Sequence, residues 1–479
     1  MKPKTTLRRA LSDPQLLGNV LAGETWSGWR PMLLACMGEP LEPSELEIFR
    51  RFTGRDQSPS APVDEAVFVI GRRGGKDRTA SVLAAYFAGL CDHSSVLAPG
   101  EKAVLIVLAP DTRQAKVQLD YIEGAFQASP ILAQRMVNRT ADTLELDNNV
   151  LIEVRSASFR RIRGVTSIAV IASEAAFWLS EESSNPDTEI LNAIRPSLAT
   201  TRGPLIIISS PYARRGEVWS LYDRHFGEKG DPRVLVVQGS SRDFNPTLPQ
   251  EVIDRAYQAD PASAAAEYGG QFRTDIERFI TIEALRDCLE PGVGERAPEK
   301  QKSYIAFTDP SGGSGDSFGL AIAHVEGDTV VLDCIRERRS PFSPEQVVGD
   351  FADTLKSYRI SRVVGDRYGG VWPAEQFKKC GIIYEASDRT KSQLYFDLLP
   401  LINSSQIRLI DNDRLVHQLV SLERRTARGG RDSIDHPPGA RDDVANAVAG
   451  VASLANRSTS LMSQLIADAF TDKVKPLWI

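Results

Sequence analysis

At 479 residues the chain is long enough for two or three domains, and its 42% hydrophobic and 25% charged residues form an ordinary globular mixture. A net charge of −6 argues against a uniformly basic surface, although a local basic patch can hold phosphates while carboxylates lower the total. Cys36, Cys91, Cys288, Cys334 and Cys380 form no C-x-x-C pair, and no apolar run is long enough to cross a bilayer or to follow Lys2, Lys4, Arg8 and Arg9 as a leader, so zinc, a membrane span and a signal peptide are not expected.

The first half alternates short apolar runs with helical stretches. A strand is predicted at 66–70, a turn at 71–77 and a helix at 78–90, followed by strands at 102–109, 168–172 and 205–208. Two further strands, 144–146 and 150–154, read as a hairpin about Asp147-Asn148-Asn149. Uninterrupted apolar strands alternating with helices imply a mostly parallel sheet covered on both faces.

Gly71-Arg72-Arg73-Gly74-Gly75-Lys76-Asp77 follows a strand and opens a helix. Such a turn points backbone N–H groups at a phosphate, and the helix N-terminus adds partial positive charge. Lys76 is then placed to reach the β/γ-phosphates, although Asp77 stands where a Mg²⁺-binding Ser or Thr is usual. Residues 167–174 end a buried strand in Ser173-Glu174, which puts a carboxylate at the sheet edge facing a nucleotide, with Ser173 where an Asp is usual. The strand 205–208 ends in Ser209-Ser210-Pro211, either a plain turn or a segment linking the phosphate site to movement. Trp26 and Trp29 either stack on adenine or pack in the core.

Residues 290–302, EPGVGERAPEKQK, read as a linker. Beyond it, strands at 303–308, 317–325 and 329–335 have short connections and therefore pair antiparallel. A helix near 344–358, a strand at 362–365, a helix near 373–379 and a strand at 382–384 follow, in ribonuclease-H-like order. Asp309 ends the first of these strands and Asp366 the fourth, Asp316 precedes the second, and Asp442-Asp443 open the helix at 444–452. Carboxylates gathered at adjacent strand ends repel one another unless divalent cations sit between them, and two ions about 3.5–4 Å apart can drive phosphodiester hydrolysis. Arg424, Arg425, Arg428 and Arg431, with Gly429 and Gly430, read as a basic loop able to hold phosphates.

The sequences GRRGGK (71–76), VIASEAAFW (170–178), SSP (209–211) and EYGGQF (267–272), together with FTDP, VVGD and ARDDVANA, resemble those of the large terminase subunit of tailed bacteriophages or prophages across roughly 20–455. The resemblance implies an α/β protein with an N-terminal P-loop ATPase on a mostly parallel sheet and a C-terminal ribonuclease-H-like nuclease. The expected layout is an N-terminal segment at 1–60, the ATPase at 61–276, a linker at 277–302, the nuclease at 303–456 and a tail at 457–479. Such a protein hydrolyses ATP to drive double-stranded DNA into a procapsid and cuts the concatemer with an endonuclease. On this resemblance Gly71, Arg72, Arg73, Gly74, Gly75, Lys76, Asp77 and Ser173 bind nucleotide, with Asp77 and Ser173 beside its metal. Glu174 is catalytic, and Arg72 or Arg73, or Arg163 acting on a neighbouring subunit, is the motor arginine. Asp309, Asp366 and one or both of Asp442 and Asp443 hold Mg²⁺ or Mn²⁺. Implied partners are DNA, a portal protein, a small terminase subunit and further copies in a ring, in the cytoplasm of a bacterial host and transiently on the procapsid portal. The tail carries Leu461, Leu465, Ile466 and Phe470 at helical spacing, to dock on a portal or on its own domain. Other readings are a helicase-like repair nuclease and a ribonuclease-H-like nuclease or transposase with an inactive ATPase.

Overall fold

The computed structural model describes residues 2–157, 165–178, 186–367, 371–426 and 432–471, with side chains to 457. The described residues up to 274 form one compact unit and those from 275 a second.

The main sheet of the first unit is built from β1 (Glu65–Ile70), β2 (Ala103–Ala109), β3 (Met136–Arg139), β4 (Thr143–Leu146), β5 (Val150–Ser156), β6 (Ser167–Ser173), β7 (Leu205–Ser209) and β8 (Val234–Gly239). They form one sheet in the order β8-β1-β7-β6-β2-β5-β4-β3. From β8 to β5 every pairing is parallel, and the hairpin expected about Asp147-Asn148-Asn149 is β4–β5, antiparallel with Leu144 opposite Ile152. The apolar run in β1 reflects two-sided burial. Ala66, Phe68 and Ile70 join one core while Val67 and Val69 join the other. Helix α1 (Lys76–Leu90) follows β1 directly and is buried along nearly its whole length.

The second unit holds a seven-stranded sheet of β10 (Leu289–Glu290), β11 (Tyr304–Asp309), β12 (Phe318–Glu326), β13 (Thr329–Arg338), β14 (Arg362–Gly365), β15 (Ile383–Ala386) and β16 (Ile407–Ile410). Its order is β10-β16-β13-β12-β11-β14-β15. As the short connections predicted, β11, β12 and β13 are antiparallel neighbours, and β14 lies parallel beside β11. A separate three-stranded sheet joins β9 (Ile276–Arg278), β17 (Glu423–Thr426) and β18 (Asp432–Asp435). Helix α2 (Asp443–Thr471) lies over β11 and β12 at two glycines. A Cβ on Gly450 would come within 2.2 Å of the Phe307 ring, and one on Gly319 within 2.7 Å of the Asp443 carbonyl oxygen. This close approach brings the start of α2 to the end of β11.

The expected linker at 277–302 is not a linker. β9 pairs with β17, β10 pairs with β16, and Phe279, Ile280, Leu285 and Cys288 are buried in the core beneath α2. Its Pro, Gly and charged residues (290–302) lie on the surface of that unit, where Arg296 bonds the Asp333 and Leu332 carbonyls. The tail also starts without a break, because the backbone of α2 continues to Thr471. The side chains of Leu461, Leu465, Ile466 and Phe470 lie outside the described residues.

Candidate functional site

In the first unit the site is built at the β1–α1 turn. Gly75 has φ +91°, a conformation glycine adopts without steric cost, and caps α1. Gly71 is packed so tightly that a Cβ would sit 2.4 Å from the Ser241 Oγ and 2.6 Å from the Tyr268 carbonyl oxygen. Three side chains brace this turn. The Trp29 indole donates to the Gly74 carbonyl at 2.8 Å, Asn245 donates to the Arg73 carbonyl at 2.9 Å, and Ser241 Oγ donates to the Arg72 carbonyl at 2.6 Å. Trp29 is fully buried against Phe68 and Phe244, so of its two expected fates it takes core packing. Trp26 lies against Gly75, beneath the Arg78 guanidinium at 5.0 Å. EYGGQF supplies the Tyr268 carbonyl above and Glu267, whose carboxylate is 3.4 Å from Arg72. Arg73 is exposed with φ +66°, and among the described residues its guanidinium has no ion pair.

Lys76 is 4% exposed, and its ammonium is satisfied at close range. It donates to the Ile70 carbonyl at 3.0 Å and to the Ser210 Oγ at 2.9 Å, and lies 3.4 Å from Glu174. Glu174, just past β6, lies in the left-handed region, φ +50°, which is costly for a residue with a Cβ and persists only where its surroundings hold it. Its carboxylate accepts the Ser210 N–H at 2.9 Å. Ser210 therefore touches both Lys76 and Glu174, a double contact that the SSP motif alone did not reveal. Asp77 and Ser173 meet, Oγ to Oδ1, at 3.3 Å. Burial, reinforced by the Glu174 charge, raises the Asp77 carboxyl above its usual range, and Lys76 and Ser173 oppose the shift. Arg163 lies outside the described residues.

In the second unit Asp309, at the end of β11, and Asp366, just past β14, converge because those strands are adjacent and parallel. One amide joins them. Asn446 Nδ2 donates to Asp309 at 2.9 Å and to Asp366 at 3.4 Å. Asp442 and Asp443 are both buried and face different partners. Asp443 accepts the Ser317 N–H at 3.2 Å, whereas Asp442 accepts the Tyr395 hydroxyl at 2.8 Å and lies 3.2 Å from the Lys391 ammonium. Lys391 also reaches Asp435 at 2.5 Å, and Asp435, His436 and Asp442 cluster within 4.8 Å of one another. Burial, followed by the charges of Asp443, Asp366 and Asp442, holds the Asp309 carboxyl well above its usual range against the Asn446 hydrogen bond. Asp443 is pushed up to about 6, mainly by burial, with the Ser317 N–H opposing and Asp442 adding to the rise. Carboxylates crowded enough to resist ionising are a donor set that fits hard divalent cations. Asp316 is exposed.

Sequence reasoning missed Asn446, Tyr395, Lys391, Asp435 and His436. Asn446 had a usable signal, since it lies three and four residues beyond Asp443 and Asp442 and so shares their helix face. The basic loop is corrected in part. Arg424 and Arg425 lie on strand β17, Arg424 paired with Asp432 and Arg425 with Glu423 at 2.9 Å, so strand pairing and local carboxylates hold them. Arg428 and Arg431 lie outside the described residues. Beside Asp309 an open groove of about 490 Å³ is lined by Pro310, Ser343, Pro344 and Trp372 among others.

The fold and sites define a class: an α/β protein in which a mostly parallel sheet carries a glycine-rich strand-to-helix turn, followed by a mixed sheet with a carboxylate cluster at its edge. The sequence matches no protein-family model and no curated protein. Its structural neighbours are large terminases of tailed bacteriophages. It is similar to the HK97 bacteriophage large terminase at 17% identity, covering 89% of this chain and 99% of that one with a TM-score of 0.38. It is also similar to the large terminase of a thermophilic bacteriophage in complex with ADP (12%, 88% and 97%, TM-score 0.39). Over 36% of its length the chain is similar to the magnesium-bound large terminase nuclease of the thermophilic phage G20c (16% identity, 95% of that chain, TM-score 0.32). Among the described residues no helix is long and apolar enough to cross a membrane.

Proposed function

We propose that this chain is a large terminase subunit: an ATPase that drives double-stranded DNA into a procapsid and a metal-dependent endonuclease that cuts the concatemer. The observation that carries the reading is the meeting of Asp309, Asp366 and the start of α2 through one amide, at a sheet edge where burial and the neighbouring acidic charges raise the Asp309 carboxyl well above its usual range. Asp309, Asp366 and Asp443, with Asp442 behind them, would hold Mg²⁺ or Mn²⁺. Two such ions supply an activated water and charge for the leaving oxygen of a phosphodiester.

In the first unit Lys76 exchanges the Ile70 carbonyl and Ser210 hydroxyl for the β/γ-phosphates of ATP, and Glu174 orients the attacking water. Because Ser210 bonds both, its partners change with the phosphate, which couples hydrolysis to the β7 segment. Arg73 serves as the motor arginine rather than Arg72, which Glu267 holds. DNA, a portal, a small subunit and a ring of copies are the partners that the motif resemblance implies, in the host cytoplasm and on the procapsid.

The test separates the activities. Lys76→Ala and Glu174→Gln are expected to abolish ATP hydrolysis and leave plasmid nicking under Mg²⁺ or Mn²⁺ in place, while Asp309→Asn and Asp366→Asn do the reverse. Nicking that survives Asp309→Asn would overturn the nuclease assignment.

A further inference from the structure

Asn446 is the least expected member of the nuclease site. It is a buried, neutral side chain, 1% exposed, one turn into α2. Its Nδ2 supplies the only hydrogen bonds between the two strand-end acids among the described residues, to Asp309 at 2.9 Å and Asp366 at 3.4 Å. Its Oδ1 is equally buried and has no hydrogen-bond partner. An unmet buried carbonyl costs about 1–3 kcal/mol, so a native site keeps one where something else completes it. The donor end of this amide is matched to two carboxylates, and the acceptor end is left over within the same cluster.

An asparagine amide is a donor at one end and an acceptor at the other, and a half-turn about its last side-chain bond exchanges them in nearly the same volume. A carboxylate pair alone calls for the donor. The same pair loaded with a divalent cation no longer needs the bridge and calls for an oxygen, and an amide carbonyl is an ordinary ligand for Mg²⁺ or Mn²⁺. We infer that Asn446 is a two-state member of this metal site: its Nδ2 bridges Asp309 and Asp366 when no cation is bound, and its Oδ1 turns inward as a neutral ligand when one is. The inference rests on the nuclease reading. It adds to that reading a device that keeps the metal-free acids from driving α2 off the sheet while leaving the site open to cations.

The test is Mn²⁺ binding by calorimetry and thermal unfolding with and without Mn²⁺, on the full chain carrying Asn446→Ala, Asn446→Asp or Asp309→Asn. Asn446→Ala loses both ends of the amide, and Mn²⁺ affinity is expected to fall about 10- to 100-fold. Asn446→Asp keeps an oxygen but loses the bridge. It is expected to bind Mn²⁺ at least as tightly as the parent, to melt earlier without the ion, and to regain the parent melting temperature when saturated. Parental affinity in Asn446→Ala, or affinity as weak in Asn446→Asp as in Asn446→Ala, overturns the proposal. If Asn446→Ala does not fold, Asn446→Asp decides alone: Mn²⁺ either restores its stability or does not. Asp309→Asn separates the two failures, because unchanged Mn²⁺ binding and nicking there would sink the nuclease reading itself.

Discussion

Asp77 and Ser173 are each unusual alone and make sense as a pair. A P-loop site ordinarily sets a hydroxyl after the lysine and a carboxylate before the catalytic glutamate, both beside one Mg²⁺. Here the two groups have exchanged positions and their side chains meet at 3.3 Å. The exchange keeps one carboxylate and one hydroxyl at the same place, with the half-buried Asp77 carboxyl raised above its usual range by burial and the Glu174 charge, which a nearby cation would offset. A working, reciprocal site is therefore expected. Asp77→Ser leaves two hydroxyls and Ser173→Asp sets a second carboxylate against Asp77, so each should slow Mg²⁺-dependent ATP turnover by about tenfold or more. The double variant restores the usual order and should recover much of the loss, giving a coupling of about 0.5–3 kcal/mol in the cycle. Turnover measured for all four proteins decides it, since additive losses would mean that the positions share no ion.

The acids of the proposed nuclease site come together because α2 can approach the sheet, and that approach depends on residues without side chains. Gly450 lies on the Phe307 ring and Gly319 beneath the Asp443 carbonyl. Gly450→Ala should force the helix outward or distort it, costing about 1–3 kcal/mol as overpacking does. It should lower nicking more than a surface change of equal size would, while ATP turnover stays at the parent level. Melting temperature and the two activities, measured together, check this. At this scale the sequence is readable where burial is continuous. β1, β2, β6 and β7 stood out as apolar runs because both faces of the sheet are covered, and β11–β13 because their connections are short. What did not read was built from isolated residues. A two-residue strand such as β10 has no periodicity, and Asn446 inside a helix looks like any polar surface residue until Asp309 and Asp366 are placed against it. Arg424 and Arg425 looked like a loop because their four-residue strand is charged and lacks an apolar alternation, and its pairing with β9 and β18 does not show in local sequence.

The division of the whole molecule lies at 274–275, well before the Pro- and charge-rich stretch that composition marks as a boundary. Each side of that division has its own hydrophobic cores, so each is expected to fold separately. The residues between the two candidate boundaries decide the matter. Phe279, Ile280, Leu285 and Cys288 are buried in the second unit, Leu289 and Glu290 pair with β16, and β9 completes the small sheet against Arg424. Burying one such large apolar side chain contributes about 1.5–3 kcal/mol, and a domain's net stability is only about 5–15 kcal/mol. A fragment beginning at Asp275 should therefore unfold cooperatively and nick plasmid DNA under Mn²⁺ without ATP. A fragment beginning at Ser303 keeps every nuclease carboxylate yet leaves the face that Phe279 and Leu285 cover open to water. It should aggregate or melt far below the longer fragment and lose most of its nicking. Thermal unfolding and nicking of the two fragments side by side test this, and equal stability would show that residues 275–302 pack on the nuclease core without supporting it.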